Sequence, residues 1–212
     1  MTNTSNNAIA CFCDITKWYK TFGIDYIFFD KSSLKLEKKS SYNISIPDRI
    51  PKFKTIEDIK TAILNVDCHL KKTAKNTVFS DGDPSSDIMI IGEAPGHEED
   101  EQGKPFVGQS GKLLDHMLAA IGIQRAEVYI SNIVFWRPPG NRTPSADEIE
   151  LCLPYVEEHI LLTNPKILLL LGGVAVKSLL NTNEPISKLR GKNNSYKRID
   201  TLATFHPAYL LR

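Results

Sequence analysis

Three side chains able to do polar chemistry stand within or just after apolar runs in this 212-residue chain. Glu93 follows the run 88–91 inside G-E-A-P-G, residues 92–96, where glycines permit close backbone approach and Pro95 stiffens the turn that presents the carboxylate. Asn132 falls within the run 128–134, ahead of W-R-P-P-G-N-R at 136–142. Its amide carries an acceptor and a donor together, enough to read one edge of a nucleobase, although an asparagine can equally serve a loop or a cap. His206 follows the run 202–205 and opens H-P-A-Y-L-L-R, adding an imidazole to the same set. The glycine-rich stretches 92–96 and 103–111 also admit a phosphate-cradling reading, but neither G-x-x-x-x-G-K-[ST] nor G-x-G-x-x-G occurs in them.

The elements that must position these residues alternate in period. Runs 88–91, 128–134, 167–171 and 202–205 read as buried strands, and 113–121, 147–162 and 174–180 as helices. Such alternation predicts an α/β fold, a three-layer α/β/α arrangement around a central, mostly parallel sheet. In open sheets of this kind ligands sit beyond the carboxyl ends of the strands, so the loops after residues 91, 133, 171 and 205 are the ones to inspect. Upstream, Thr55 precedes Ile56, Ile59, Ala62, Ile63 and Val66, a helical spacing with Glu57 and Asp58 in its first turn. Residues 55–212 are therefore expected to form the compact domain. Residues 1–54 are expected to be an extension, with a helical start at 8–21 and a polar linker at 31–45.

Bulk properties narrow the function class. With 42% apolar and 24% charged residues, the chain suits one globular domain. Its net charge of +1 means that any nucleic-acid surface must be local, built from loop cations such as Lys104, Lys112, Arg137, Arg142, Lys188, Arg190, Lys192 and Arg212. The cysteines, Cys11, Cys13, Cys68 and Cys152, make no disulfide framework, and the first residues lack the basic-then-apolar pattern of a leader. A cytoplasmic location is expected. Apolar runs are far shorter than the roughly 20 residues needed to cross a bilayer, so no membrane role is expected.

Taken in order, G-E-A-P-G, G-K-P-F-V-G at 103–108, Asn132 with R-P-P-G-N-R, Arg190-Gly191 and H-P-A-Y-L-L-R resemble the family 4 uracil-DNA glycosylases from about Cys68 to Arg212. The resemblance implies an enzyme that flips uracil out of DNA and hydrolyses its glycosidic bond, initiating base excision repair. It implies Glu93 and His206 as catalytic residues, the first stabilising the cationic sugar or orienting water, the second hydrogen-bonding the uracil carbonyl on which charge accumulates. Uracil would be held by Phe106 through stacking, by Asn132 at its edge, and by the Gly92 and Ala94 backbone. Arg137, Arg142 and Arg190 would contact phosphates, and Leu210 and Leu211 would wedge into the gap left by the flipped base. For these two leucines, packing against a neighbouring helix remains the alternative. The partner implied is uracil-containing DNA, single- or double-stranded, bound by a monomer.

The chain departs from that family at its iron-sulfur ligands, where four cysteines usually hold a cluster. Cys68 and Cys152 match two positions, while Asn65 and Trp136 occupy the others. No cofactor is therefore expected, the alternative being a 4Fe-4S cluster with sulfurs from Cys11 and Cys13, whose order and spacing are wrong. The indole of Trp136 is expected to fill the space instead. The matched motifs run to Arg212, where chains of this type continue into a further helix. Two rival readings stand beside the enzyme: a catalytically weak or inactive module of the same fold that binds uracil or DNA, and a nucleotide-binding domain. Retention of the Glu93 carboxylate favours the enzyme, because binding alone does not require it.

Overall fold

The computed structural model describes residues 52–212. The expected helix at 8–21, the linker at 31–45, and Cys11 and Cys13 lie outside the described residues. The first helix, α1 (Ile56–Asn65), starts where the sequence places it. Thr55 Oγ1 accepts from the Asp58 amide at 3.1 Å and the Asp58 carboxylate accepts from the Thr55 amide at 2.9 Å, so two backbone donors left over at the helix start are satisfied. Its spacing then buries Ile59 and Ile63.

Six strands follow, interleaved with helices. In chain order they are β1 (Ser80–Gly82), β2 (Ile88–Gly92), α2 (His97–Gln102), α3 (Gln109–Ala120), β3 (Tyr129–Asn132), α4 (Ala146–Thr163), β4 (Ile167–Leu171), α5 (Gly173–Leu180), α6 (Ile186–Leu189), β5 (Asn194–Tyr196), β6 (Ile199–Thr204) and α7 (Pro207–Leu210). They form one sheet of order β1-β3-β2-β4-β6-β5. The four central strands run parallel, and β1 and β5 close the edges antiparallel.

Strand periodicity sorts the core onto two faces. Met89, Ile91, Leu168 and Leu170 join Ile59 and Ile63 of α1, Val156 and Ile160 of α4, and Val176 of α5. The intervening Ile90, Ile130 and Leu171 join Leu114 and Leu118 of α3. Side chains alternating in this way, apolar on both sides, explain why the parallel strands read as unbroken apolar runs. Helices on both faces complete the three-layer α/β/α arrangement. No helix among the described residues is long and apolar enough to cross a membrane.

The differences from expectation are local. The third strand ends its ladder at Asn132, and the chain beyond it stays buried and hydrogen-bonds to the end of β2 and the loop after it, Ile133 N to Gly92 O at 3.0 Å and Val134 N to Glu93 O at 3.1 Å. The last strand begins at Ile199. The two edge strands, three residues each, are too short and polar to show a period.

Candidate active site

Register brings the expected residues to one rim. Gly92 pairs with Asn132 across β2 and β3, and Leu171 pairs with Thr204 across β4 and β6, so the loops after these strands leave the sheet side by side. A cleft of about 940 Å³ opens there, with Glu93, Phe106, Asn132, Arg142, Gly172 and His206 among its walls.

At its floor Asn132 is buried and its Oδ1 meets no donor among the described residues. A buried acceptor left without a partner is costly, and one that faces a cleft is placed to be completed by a ligand donor. Gly92 makes room for this group: a Cβ there would overlap Asn132 Oδ1 and come within 2.6 Å of the Phe106 ring. Phe106 itself is buried, adopts a φ of 51°, and lies beside the His206 ring with centroids 5.3 Å apart and planes 27° apart. A positive φ is strained for an aromatic residue and persists only where surroundings enforce it.

His206 caps the short helix α7, its Nδ1 accepting from the Ala208 amide at 3.2 Å. Burial lowers its pKa below the usual histidine range, against an opposing influence of the Glu99 carboxylate. A neutral imidazole whose Nδ1 accepts must carry its proton on Nε2, so the ring has one N–H left to donate. Glu93 is half-buried, and burial raises its carboxyl pKa, partly offset by a hydrogen bond with Thr143. Together these groups offer an acceptor for a ligand N–H, an aromatic surface, a neutral donor and a carboxylate around one space. Ala94 also lines the cleft.

The sequence did not single out Glu99 by itself. Its carboxylate accepts from the amides of Gly96 at 3.1 Å, Val107 at 3.0 Å and Gly108 at 2.9 Å, joining the two glycine-rich loops. The only sequence signal was an acid in the H-E-E-D run flanked by glycines, a pattern that an N-terminal helical turn also explains.

The arginines sit around this space in different ways. Both terminal nitrogens of Arg142 are engaged by Glu148, at 2.8 and 2.6 Å, and Glu148 also meets His69 Nε2 at 2.8 Å and caps Ser145 at 2.7 Å. The Arg142 guanidinium, first among these partners, holds the Glu148 carboxyl down to about 2. Arg137 donates to Asn141 Oδ1 at 2.6 Å and approaches His97 Nδ1 at 3.1 Å. Arg190 lies over the Phe205 ring at 5.1 Å. Leu210 and Leu211 are exposed, 52% and 49%, next to Tyr209 at 62%, an exposed run of large apolar side chains.

Away from the cleft, Cys68, Trp136 and Cys152 share one buried cluster. Trp136 is 1% exposed, donates Nε1–H to Thr77 Oγ1 at 2.8 Å and packs edge-on to Phe135. Burial pushes the Cys152 thiol up to about 12. Asn65 is exposed at the end of α1 and bonds back to Thr61 O at 2.9 Å. These residues do not fit an iron-sulfur cluster, which takes its ligands as thiolates. Among the described residues no group of three or more His, Cys, Asp or Glu side chains could hold a metal ion.

Comparison with known proteins agrees with this geometry. Residues 79–212 match the family described as the Uracil DNA glycosylase superfamily. The chain is 38% identical over 166 residues to a type-4 uracil-DNA glycosylase of Pyrobaculum aerophilum, covering 74% of this chain and 85% of that one. Proteins of the same description from Sulfurisphaera tokodaii and Archaeoglobus fulgidus are 41% and 37% identical, again over 74% of this chain, and over 76% and 83% of theirs. The chain belongs to the uracil DNA glycosylase superfamily.

Proposed function

We propose that this chain is a uracil-DNA glycosylase that takes uracil flipped out of DNA into the cleft and hydrolyses its N-glycosidic bond. The observation that carries the reading is the buried, unmatched Asn132 Oδ1 at the cleft floor, beside Phe106 and the donor-bearing His206. Uracil presents an N3–H donor between two carbonyl acceptors. Asn132 Oδ1 would accept from N3–H while its amide donates to O4, and Phe106 would supply the stacking surface.

When the bond between C1′ and N1 breaks, its electron pair goes to the base and negative charge spreads onto O2. A neutral His206 donating Nε2–H strengthens its hydrogen bond as that charge grows, which favours the transition state over the bound ground state. The sugar is left with cationic character, and the Glu93 carboxylate stabilises it or orients the water that adds to C1′. In a site emptied of bulk water that attraction is far stronger than in solution. Leu210 and Leu211 would supply the wedge into the vacated stack, and Arg137 and Arg190 would contact phosphates. Arg142 reaches a phosphate only by sharing or exchanging its bonds to Glu148.

On this reading the chemistry needs no cluster, and the packing of Cys68, Trp136 and Cys152 in one buried apolar cluster supports it. The test is cleavage of a uracil-containing oligonucleotide followed by alkali, which breaks the strand at the abasic site. Strand breaks at uracil, absent from a thymine control, are expected. Retarded migration without breaks would instead identify a binding module.

A further inference from the structure

Phe106 is held from outside the cleft, at its carbonyl. Arg125, in the single helical turn before β3 (Arg125–Glu127), donates Nη1–H to Phe106 O at 2.9 Å and Nη2–H to Pro105 O at 2.7 Å. The same guanidinium is fixed by two carboxylates, Asp81 of β1 at 3.0 Å from Nε and Asp115 of α3 at 3.0 Å from Nη1. Its side chain is 24% exposed, and it is not among the residues lining the cleft.

Away from the cleft, two glycines also close in on Phe106. Gly111 lies so near the Phe106 carbonyl that a Cβ there would overlap it, and a Cβ on Gly92 would come within 2.6 Å of the ring. A peptide turned into the left-handed region points its carbonyl in a direction the ordinary conformation would not use, and some donor must receive it. The rigid, planar fork of arginine meets two consecutive carbonyls at once, which a lysine cannot do.

We propose that Arg125 is a positioning residue for base recognition: by clasping the Pro105 and Phe106 carbonyls it holds Phe106 in its left-handed conformation, with the ring where the flipped uracil stacks. This rests on the glycosylase reading above. Arg125 touches neither the base nor the reacting atoms, and its whole effect on catalysis passes through Phe106.

The test combines three proteins, Arg125→Met, Arg125→Lys and Phe106→Ala, with the Arg125→Met/Phe106→Ala double variant. For Arg125→Met, KM and the inhibition constant for free uracil should both rise roughly 10- to 100-fold, the scale of hydrogen bonds to a charged group. The kcat should change less, and affinity for DNA carrying an abasic analogue, which presents no base, should be unchanged. Lysine should restore part of the loss. Backbone amide exchange at Val107 and Gly108 should accelerate in Arg125→Met, a readout independent of activity. In the Phe106→Ala background the Arg125 substitution should add nothing, because there is no ring left to position. An unchanged uracil inhibition constant, or losses from the two sites that multiply, would overturn the proposal. If Arg125→Met does not fold, Arg125→Lys carries the same test, its smaller loss having to vanish in Phe106→Ala. Failure of the wild-type protein to release uracil would overturn the glycosylase reading itself, whereas release that ignores Arg125 overturns only this inference.

Discussion

His206 separates catalysis from binding because its proton has one place to be. With Nδ1 accepting from the Ala208 amide and burial lowering its pKa, the ring enters the reaction neutral with a hydrogen on Nε2. On the proposed mechanism His206→Ala removes a donor whose bond strengthens as charge develops, so the single-turnover rate at saturating enzyme should fall on the order of 100- to 1000-fold, as for one lost oxyanion donor. DNA affinity should change little. If the imidazole only positioned the turn that follows, the loss would be confined to duplex substrate and a short single strand would be spared. The residue types were legible in advance, since Glu93 and His206 each follow an apolar run and Asn132 falls within one. Their electrical states were not, because a pKa shift depends on what packs around a group and the chain order says nothing of that.

At the scale of elements, the corner between α1, the chain after β3 and α4 is packed as part of the apolar core. Trp136 packs edge-on to Phe135 in the same buried cluster as Cys68 and Cys152, and its one polar atom is matched by Thr77. Trp136→Ala should therefore cost about 3 to 5 kcal/mol of unfolding free energy in urea, the usual result of removing a large buried aromatic side chain. The purified wild-type protein should carry no stoichiometric iron or sulfide after anaerobic preparation. Stoichiometric cluster in the wild-type protein, or a Trp136→Ala loss below about 1 kcal/mol, would contradict the packing account. Element positions followed from periodicity wherever a helix or a central strand was long enough to show it. The edge strands and the short helices α2, α6 and α7 were not foreseen, because three to six residues span too little of a period to display one.

For the whole molecule, acid stability is governed by a histidine remote from the cleft. His159 of α4 is fully buried, stacks on Phe79 at 4.5 Å and donates Nε2–H to the Tyr129 hydroxyl at 2.8 Å, which in turn donates to Ser80 Oγ at 2.8 Å, tying a helix to β3 and β1. Burial pushes its pKa down to about 3, from 6.5 in an unfolded chain. Above the unfolded value the ring is neutral in both states and contributes no pH dependence. Below it the unfolded chain takes up a proton that the native state refuses, so stability falls with acid, by about 2 kcal/mol between about pH 7 and about pH 5. His206, lowered by the same cause, adds a loss of the same sign, and Glu148 adds another as pH falls from the ordinary glutamate range toward about 2. His159→Phe should remove the His159 share of the slope in urea titrations at the two pH values, and an unaltered slope would refute the assignment. The sequence by itself determined the alternation of strands and helices, the motifs, and hence the family, because periodicity and spacing are properties of the chain. Only the tertiary structure decided that Gly92 stands level with Asn132, that Arg125 reaches Phe106 across 19 positions, and that Arg142 is engaged by a buried glutamate. Strand register and long-range hydrogen bonds are set by how faces close over the core, and that information is shared among residues far apart in the chain.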